Sequence, residues 1–421
     1  MVSRSPLTSA DKRKHGEAMS IFEQWGVEPI INVSGSVTRL GGAPMPKAVL
    51  DAFCAAAGES VPLDVLQGAA SRVIAEATGA EAGIVTCGAA AGLMLGTAAI
   101  LAGFNLGRME ALPHTEDFPH EFVAAREHRN GYDHALRAAG ARFVEVGFQE
   151  IVAGAGVRRV EAWEYEAAFG PMTAGVMYVY DAHAAPPLAE LVKVAHAHRL
   201  PVLVDAAGEL PPRSNLKDIL ATGADLVVFS GGKAIRGPQS TGILCGRRVL
   251  IASALLQMLD MDDHFDLWEP PENLIDRKTL VGIPRHGIGR PLKVAKEQIA
   301  ALLTALRLFA SGEYDRDLTE MSRHCNDIAK ALQSIQPCPV AVREIPSDGQ
   351  SYPLLEVTLN SSVVKRSAFD ICRALRRGKP SVQVGHLKLA QGTFVINPLH
   401  LNGERTAVLI RRLREELGGT Q

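Results

Sequence analysis

The chain reads as α/β: a large domain with a mostly parallel seven-stranded sheet sandwiched by helices, followed by a smaller C-terminal α+β domain. Three features of its 421 residues predict this. Between residues 82 and 245, short apolar, β-branched runs alternate with helical patterns, the signature of a parallel sheet covered on both faces. A connection at 269–290, punctuated by proline and glycine, is followed by a long helical pattern at 291–312. Beyond it, strands and helices mix without regular alternation.

Residues 1–28 form an arm, with a helix expected over 9–25. The large domain, 29–290, opens on Pro29-Ile30-Ile31-Asn32-Val33. The segment 34–46 is rich in glycine and proline, so it is a loop that shapes a site or crosses a subunit boundary. Helical periodicity follows at 47–57 and 63–78. Strands are expected at 82–86, 121–125, 142–146, 175–180, 201–205, 224–229 and 240–245. The last, after a short connection, is the antiparallel exception. Helices fall between them at 89–102, 132–139, 160–169, 187–198 and 215–221. In the third unit, 291–421, the long helix carries Leu302, Leu303, Leu306 and Phe309 on one side. Strands at 354–359 and 393–396 and helices at 316–335, 367–376 and 404–417 complete it.

The composition bounds the function. With 47% apolar and 21% charged residues, the chain can bury a core large enough for a closed site. A net charge of −2 argues against wrapping nucleic acid or lying on anionic lipid. The six cysteines have no CxxC spacing, which suits reduced thiols and a cytoplasmic setting. The N-terminus is polar and unlike a secretory signal. The uncharged stretch 83–107 spaces Gly88, Gly92 and Gly96 like a membrane-helix contact face. It begins with a strand pattern, however, so a buried core helix over 89–102 is the expected structure. No metal-ligand spacing stands out.

Ligands of open α/β sheets sit beyond the carboxyl ends of the strands. Four stretches converge there. In Thr86-Cys87-Gly88-Ala89-Ala90-Ala91, a strand meets small residues that open a helix, whose free amides and dipole make a phosphate cradle. In Leu203-Val204-Asp205-Ala206-Ala207-Gly208, an aspartate ends an apolar strand, where it needs a positive partner. In Arg126-Glu127-His128-Arg129-Asn130, an imidazole is available to stack on a flat ring. In Phe229-Ser230-Gly231-Gly232-Lys233, the glycines supply backbone angles closed to other residues, and a half-desolvated lysine becomes an amine nucleophile.

Val204-Asp205-Ala206-Ala207, Ser230-Gly231-Gly232-Lys233 and Gly237-Pro238-Gln239 together resemble the fold-type I pyridoxal-phosphate enzymes, which share the aspartate aminotransferase-like fold. Within them the chain is most similar to the bacterial selenocysteine synthases and their tRNA-independent relatives, typified by D-glucosaminate-6-phosphate ammonia lyase. Ile31-Asn32-Val33-Ser34-Gly35, His128-Arg129-Asn130-Gly131-Tyr132-Asp133-His134 and Gly289-Arg290-Pro291-Leu292-Lys293-Val294 support the resemblance, which runs from about residue 28 to 310 and more faintly beyond.

The resemblance implies roles. Lys233 would carry the cofactor as a Schiff base and then remove the substrate Cα proton. Asp205 would keep the pyridine nitrogen protonated, Ala207 would pack under the ring and His128 would stack above it. Gly88, Ala89 and Ser230 would hold the phosphate. Arg290 and, in the loop 34–46, Arg39 are candidates for the substrate carboxylate or a neighbouring subunit's phosphate. The site would lie at the interface of a homo-oligomer, a dimer or larger. Two departures matter: the arm is short and the charge slightly negative, which disfavours a tRNA substrate, and no dedicated C-terminal arginine replaces Val395-Ile396-Asn397-Pro398-Leu399, which weakens transamination. The expected reaction is β-elimination from a small amino acid, giving ammonia and a 2-oxo acid. A racemase or epimerase, an aminotransferase, and a cofactor-binding protein without turnover are the alternatives. A dinucleotide-dependent oxidoreductase is disfavoured because the first βα turn lacks GxGxxG.

Overall fold

The computed structural model describes residues 20–148, 158–347 and 351–418. In chain order the elements are β1 (Ile31–Val33), α1 (Lys47–Ala57), α2 (Leu63–Thr78), β2 (Ala82–Thr86), α3 (Ala89–Ala102), α4 (Leu106–Ala111), β3 (Glu121–Ala125), α5 (Asp133–Ala138), β4 (Arg142–Val146), α6 (Ala162–Ala167) and β5 (Thr173–Val179). These are followed by α7 (Leu188–Ala197), β6 (Val202–Asp205), α8 (Asn215–Ala221), β7 (Leu226–Ser230), β8 (Gly242–Gly246), α9 (Arg248–Met258) and α10 (Lys296–Ala310). The chain ends with α11 (Asp315–Gln333), β9 (Val340–Ile345), β10 (Leu354–Leu359), α12 (Ala368–Arg377), β11 (Val382–Val384), β12 (Thr393–Ile396) and α13 (Gly403–Leu417). The helix expected over 9–25 lies mostly outside the described residues; Glu23–Trp25 forms one 3-10 turn.

Seven strands make the central sheet in the order β2-β8-β7-β6-β5-β3-β4. Six of them, β2, β7, β6, β5, β3 and β4, run in one direction, and β8 runs antiparallel between β2 and β7. The parallel strands need helical crossovers, and those helices bury both faces of the sheet. Alternate side chains of β6 therefore enter different cores. Val202 and Val204 join the core that includes α10, whereas Leu203 joins the one that includes α3 and α9.

The glycines of α3 are explained by this packing and not by a membrane. A Cβ on Gly92 would lie 3.1 Å from Val228 Cγ1, and one on Gly96 would lie 3.1 Å from Leu203 Cδ1. The helix is pressed flat on the sheet, and among the described residues no helix is long and apolar enough to cross a bilayer.

The smaller unit has a three-stranded antiparallel sheet, β12-β10-β9, and α11, α12 and α13 packed around its own core. β1 pairs in parallel with β11, and Ile31 and Val33 are buried in that core. Thus the apolar run at 29–33 ties the start of the chain to its C-terminal part. Helix α10 starts at Lys296, later than its pattern suggests, because Pro291 sits in a separate 3-10 turn, Arg290–Leu292.

Candidate active site

Residues from several strand ends enclose one cavity of about 570 Å³ at the carboxyl edge of the sheet. Lys233, Asp205, Ala207, Gly88, Ala89 and Ser230 all line it. A larger cavity, about 920 Å³, is lined by Val73, Glu76, Arg213, Lys217 and Arg307 among others, and holds none of the residues singled out in the sequence.

Asp205 closes β6 and is 8% exposed. Its Oδ1 accepts a hydrogen bond from the Ala207 N–H at 3.0 Å, and Oδ2 accepts none among the described residues. Burial pushes its pKa up, while the Ala207 amide and the Lys233 charge pull it down. Such a carboxylate is short of a cationic partner.

Lys233 lies in the turn after β7, partly buried. Its Nζ would be 3.9 Å from a Cβ built on Gly208, so it faces the loop that carries Asp205. Its Nζ makes no hydrogen bond or ion pair among the described residues. The turn is held by backbone bonds from Gly231 N–H to Thr241 O, Gly237 N–H to Gly231 O and Ala43 N–H to Gly232 O, at 2.9 to 3.0 Å. Neither Gly231 nor Gly232 has a positive φ, contrary to expectation. They are required for space: a Cβ would stand 2.2 Å from Thr241 Oγ1 at Gly231 and 2.5 Å from Gln239 Cα at Gly232. The left-handed residue of this turn is Arg236, φ 61°, whose guanidinium binds Asp317 at 2.7 Å and Pro44 O at 3.1 Å and lies over the Tyr314 ring.

The first turn of α3 supplies free donors. Gly88 takes φ 121°, and no side chain caps the helix. Among the described residues the amides of Ala89, Ala90 and Ala91 donate no hydrogen bond, while that of Gly92 begins the helical ladder by donating to Gly88 O at 3.1 Å. With Lys233, the short-partnered Asp205, Ala89 and Ala90 all lining one cavity, the residues fit pyridoxal phosphate: an amine for its aldehyde, a carboxylate for its ring nitrogen and a helix N-terminus for its phosphate.

Three expected residues lie elsewhere. His128 does not line the cavity: it is 6% exposed, packs edge-on against Tyr178 with ring centroids 4.6 Å apart, and neither ring nitrogen has a hydrogen-bond partner among the described residues. Tyr178 belongs to the core that includes α10, and the 3-10 turn Arg126–His128 places the imidazole against it. Burial pushes its pKa down. Arg290 is ion-paired with Asp260, beside Asp262 and His286 on the surface. Arg39 is exposed and reaches Gln383 at 3.5 Å. Its neighbour Thr38 does line the cavity, and Thr38 O accepts from Gln239 Nε2 at 2.8 Å.

Tyr180, Glu209 and Thr241, which the sequence did not single out, also line the cavity, as do Asn130, Tyr132 and Gln239, which stood in its motifs without a role. Each stands within a few residues of a strand end or of the lysine turn, and that position was the available signal. Lys233 is the sole cation among the described residues that line the cavity, against Asp205 and Glu209.

Comparison with known proteins agrees with this geometry. The profile of the L-seryl-tRNA selenium transferases (SelA) matches residues 133–262. A 5'-C-glycyluridine monooxygenase-decarboxylase from Streptomyces sp is 31% identical over 97% of this chain and 94% of its own length. The chain belongs to the selenocysteine synthase-like family of pyridoxal-phosphate enzymes. A D-glucosaminate-6-phosphate ammonia lyase from Salmonella typhimurium is 28% identical over 94% of the chain and 97% of its own. The solved structure of a D-glucosaminate-6-phosphate ammonia-lyase superposes with a TM-score of 0.77 at 26% identity, covering 95% of this chain and 99% of that one. The fold is therefore the aspartate aminotransferase-like one, with a smaller C-terminal antiparallel sheet.

Proposed function

We propose that the chain is a lyase that takes the Cα proton from a small amino acid and expels a substituent from Cβ, yielding ammonia and a 2-oxo acid. The observation that carries this reading is the convergence of Lys233 Nζ, Asp205 Oδ2 and the uncapped amides of α3 on one cavity. Pyridoxal phosphate, when bound, supplies the electron sink. Lys233 would be its attachment point and, once freed, the base at Cα. Asp205 would hold a proton on the ring nitrogen, and Ala207 would support the ring. Gly88, Ala89 and Ser230 would hold the phosphate. One lysine against two acids leaves the substrate carboxylate without a cation from the same chain. This favours an oligomer in which a neighbouring subunit completes the site, with Arg39 or Arg290 as the donated group.

A second reading rests on the relative at 31% identity, whose name joins oxygen insertion to loss of carbon dioxide. Such a reaction would consume dioxygen and release carbon dioxide where the lyase releases ammonia.

Borohydride reduction of the cofactor-loaded protein, followed by peptide mass spectrometry, is expected to find the pyridoxyl group on Lys233. D- and L-amino acids in deuterated water should then show ammonia release; inversion with deuterium at Cα and no ammonia marks a racemase, and oxygen uptake marks the second reading. Lys233→Ala should lower turnover by roughly 10²–10⁴-fold. A label on another residue, or turnover retained in that variant, removes this lysine from the mechanism.

A further inference from the structure

We infer that Glu209 is the acid that delivers a proton to the group leaving Cβ. The inference rests on the lyase reading and adds the partner which that reaction needs. Elimination moves two protons: the Cα–H bond breaks with its proton passing to Lys233 Nζ, and the Cβ–O bond of a hydroxyl breaks as the oxygen takes a proton and departs as water. Lys233 accounts for the first. A second protonated group in the same cavity would deliver the other without Lys233 having to return the first.

The titratable side chains on the cavity walls are Cys87, Tyr132, Tyr180, Asp205, Glu209 and Lys233. Asp205 is buried at the strand end and bonded to the Ala207 amide, where it serves the ring. Tyr132 is 63% exposed, and a phenol such as Tyr180 or a thiol such as Cys87, whose pKa burial pushes up further, is by nature a far weaker acid than a carboxyl. Glu209 is half-buried, in the same strand-end loop as Asp205 and next to Gly208, the residue that Lys233 Nζ approaches. Its backbone is fixed, with Glu209 N–H donating to Ala206 O at 3.1 Å and Glu209 O accepting from Asn215 Nδ2 at 2.7 Å. Its carboxyl, by contrast, takes no hydrogen bond among the described residues. Burial comes first, then the negative charges of Asp181 and, more weakly, Asp205, in pushing its pKa up, while Lys233 opposes them. A carboxyl so placed keeps its proton closer to neutral pH, as a general acid requires.

The test uses Glu209→Gln in the cofactor-loaded protein, with D- and L-serine and D- and L-3-chloroalanine as probes. Chloride leaves without a proton, so E209Q is expected to lose roughly 10²-fold or more in pyruvate formation from serine while holding most of its rate with 3-chloroalanine. It should still exchange the Cα proton with deuterated solvent, since Lys233 is intact. In the resting loaded protein, the pH midpoint of the visible band should fall by roughly 0.5–1 unit, because Glu209 loses its proton within the same pH span as the Lys233 nitrogen and E209Q removes the negative charge the carboxyl then carries. Equal losses on both substrates, or a midpoint that does not move, overturn the role of Glu209 alone. Failure of the wild type to exchange the Cα proton of any of the four probes overturns the lyase reading, and this inference with it.

Discussion

Replacing Gly242 by alanine tests whether the first turn of α3 is the phosphate cradle. Gly242 opens β8, and a Cβ there would stand 2.5 Å from Gly88 C, 2.6 Å from Ala89 N and 2.8 Å from Gly88 O. Ordinary contact begins at 3.4 Å, so the closest pair must separate by about 0.9 Å. All three atoms are backbone, and no rotamer relieves the clash. Strand β8 is hydrogen-bonded along its length to β2 on one side and β7 on the other, so the helix end is the part that yields. Overpacking of this kind costs about 1–3 kcal/mol of stability. Moving an amide by about 0.9 Å stretches a hydrogen bond to phosphate past its useful range, and a bond to a charged group is worth about 1.5–3 kcal/mol. The dissociation constant for pyridoxal phosphate should therefore rise roughly 10- to 150-fold. Titration of the cofactor into the cofactor-free protein, read by absorbance, measures it, and thermal melts measure the first cost. Gly170→Ala, where a Cβ meets open space, is the control. A G242A protein that melts earlier yet binds the cofactor unchanged would refute the cradle, and one unchanged in both would refute the clash.

Asp205→Asn should raise the melting temperature of the cofactor-free protein while weakening its function. The folded-state pKa of Asp205 is raised, so its contribution to stability is full below the unfolded carboxyl value and lost as pH rises; at pH 7–8 the charge is a net cost, and removing it should return about 0.5–2 kcal/mol. A cofactor-free D205N that melts earlier at pH 8 contradicts this. His128→Phe should make the protein less sensitive to acid. Burial lowers the His128 pKa below 6.5, so its neutral form stabilises the fold above that pH and the stability is lost as pH falls through the lowered value. Melting curves between pH 7.5 and 5 check it: the wild type should lose more stability than H128F, and parallel curves would refute the assignment.

The parts of the fold legible in the sequence are those whose side-chain period carries information. Runs such as Ala82–Thr86 and Glu121–Ala125 are short, apolar and flanked by turn residues, and they are strands with those bounds. Helix α9 was missed because eight consecutive residues of it, from Ile251 to Met258, are buried, so no polar stripe marks its period. Strand β11 has three residues and β9 is half exposed, too short or too polar to stand out. In the site, Asp205 and Lys233 were legible because each follows a readable strand. The position of His128 off the cavity lining was not, because a 3-10 turn decides where the ring points, and a turn has no period. The role of Gly231 and Gly232 was misread for a related reason: the crowding comes from Thr241 and Gln239, which approach only in the folded chain.

Two aspartates on neighbouring strands separate structural from functional burial. Asp225 precedes β7 at the amino edge of the sheet and is 1% exposed. It is fully occupied: Oδ2 accepts from Val202 N–H at 2.8 Å and meets His196 Nε2 at 2.8 Å, and Oδ1 takes Arg247 Nη1 at 3.1 Å. Asp205, at the carboxyl edge of the adjoining strand, has one amide for two oxygens and a pKa pushed up by burial. A fold that needed only to be stable would treat both alike, since a buried carboxylate without partners opposes folding. The asymmetry is accounted for if the missing partner of Asp205 is a cationic ring, bound where Lys233 and the α3 amides also await one.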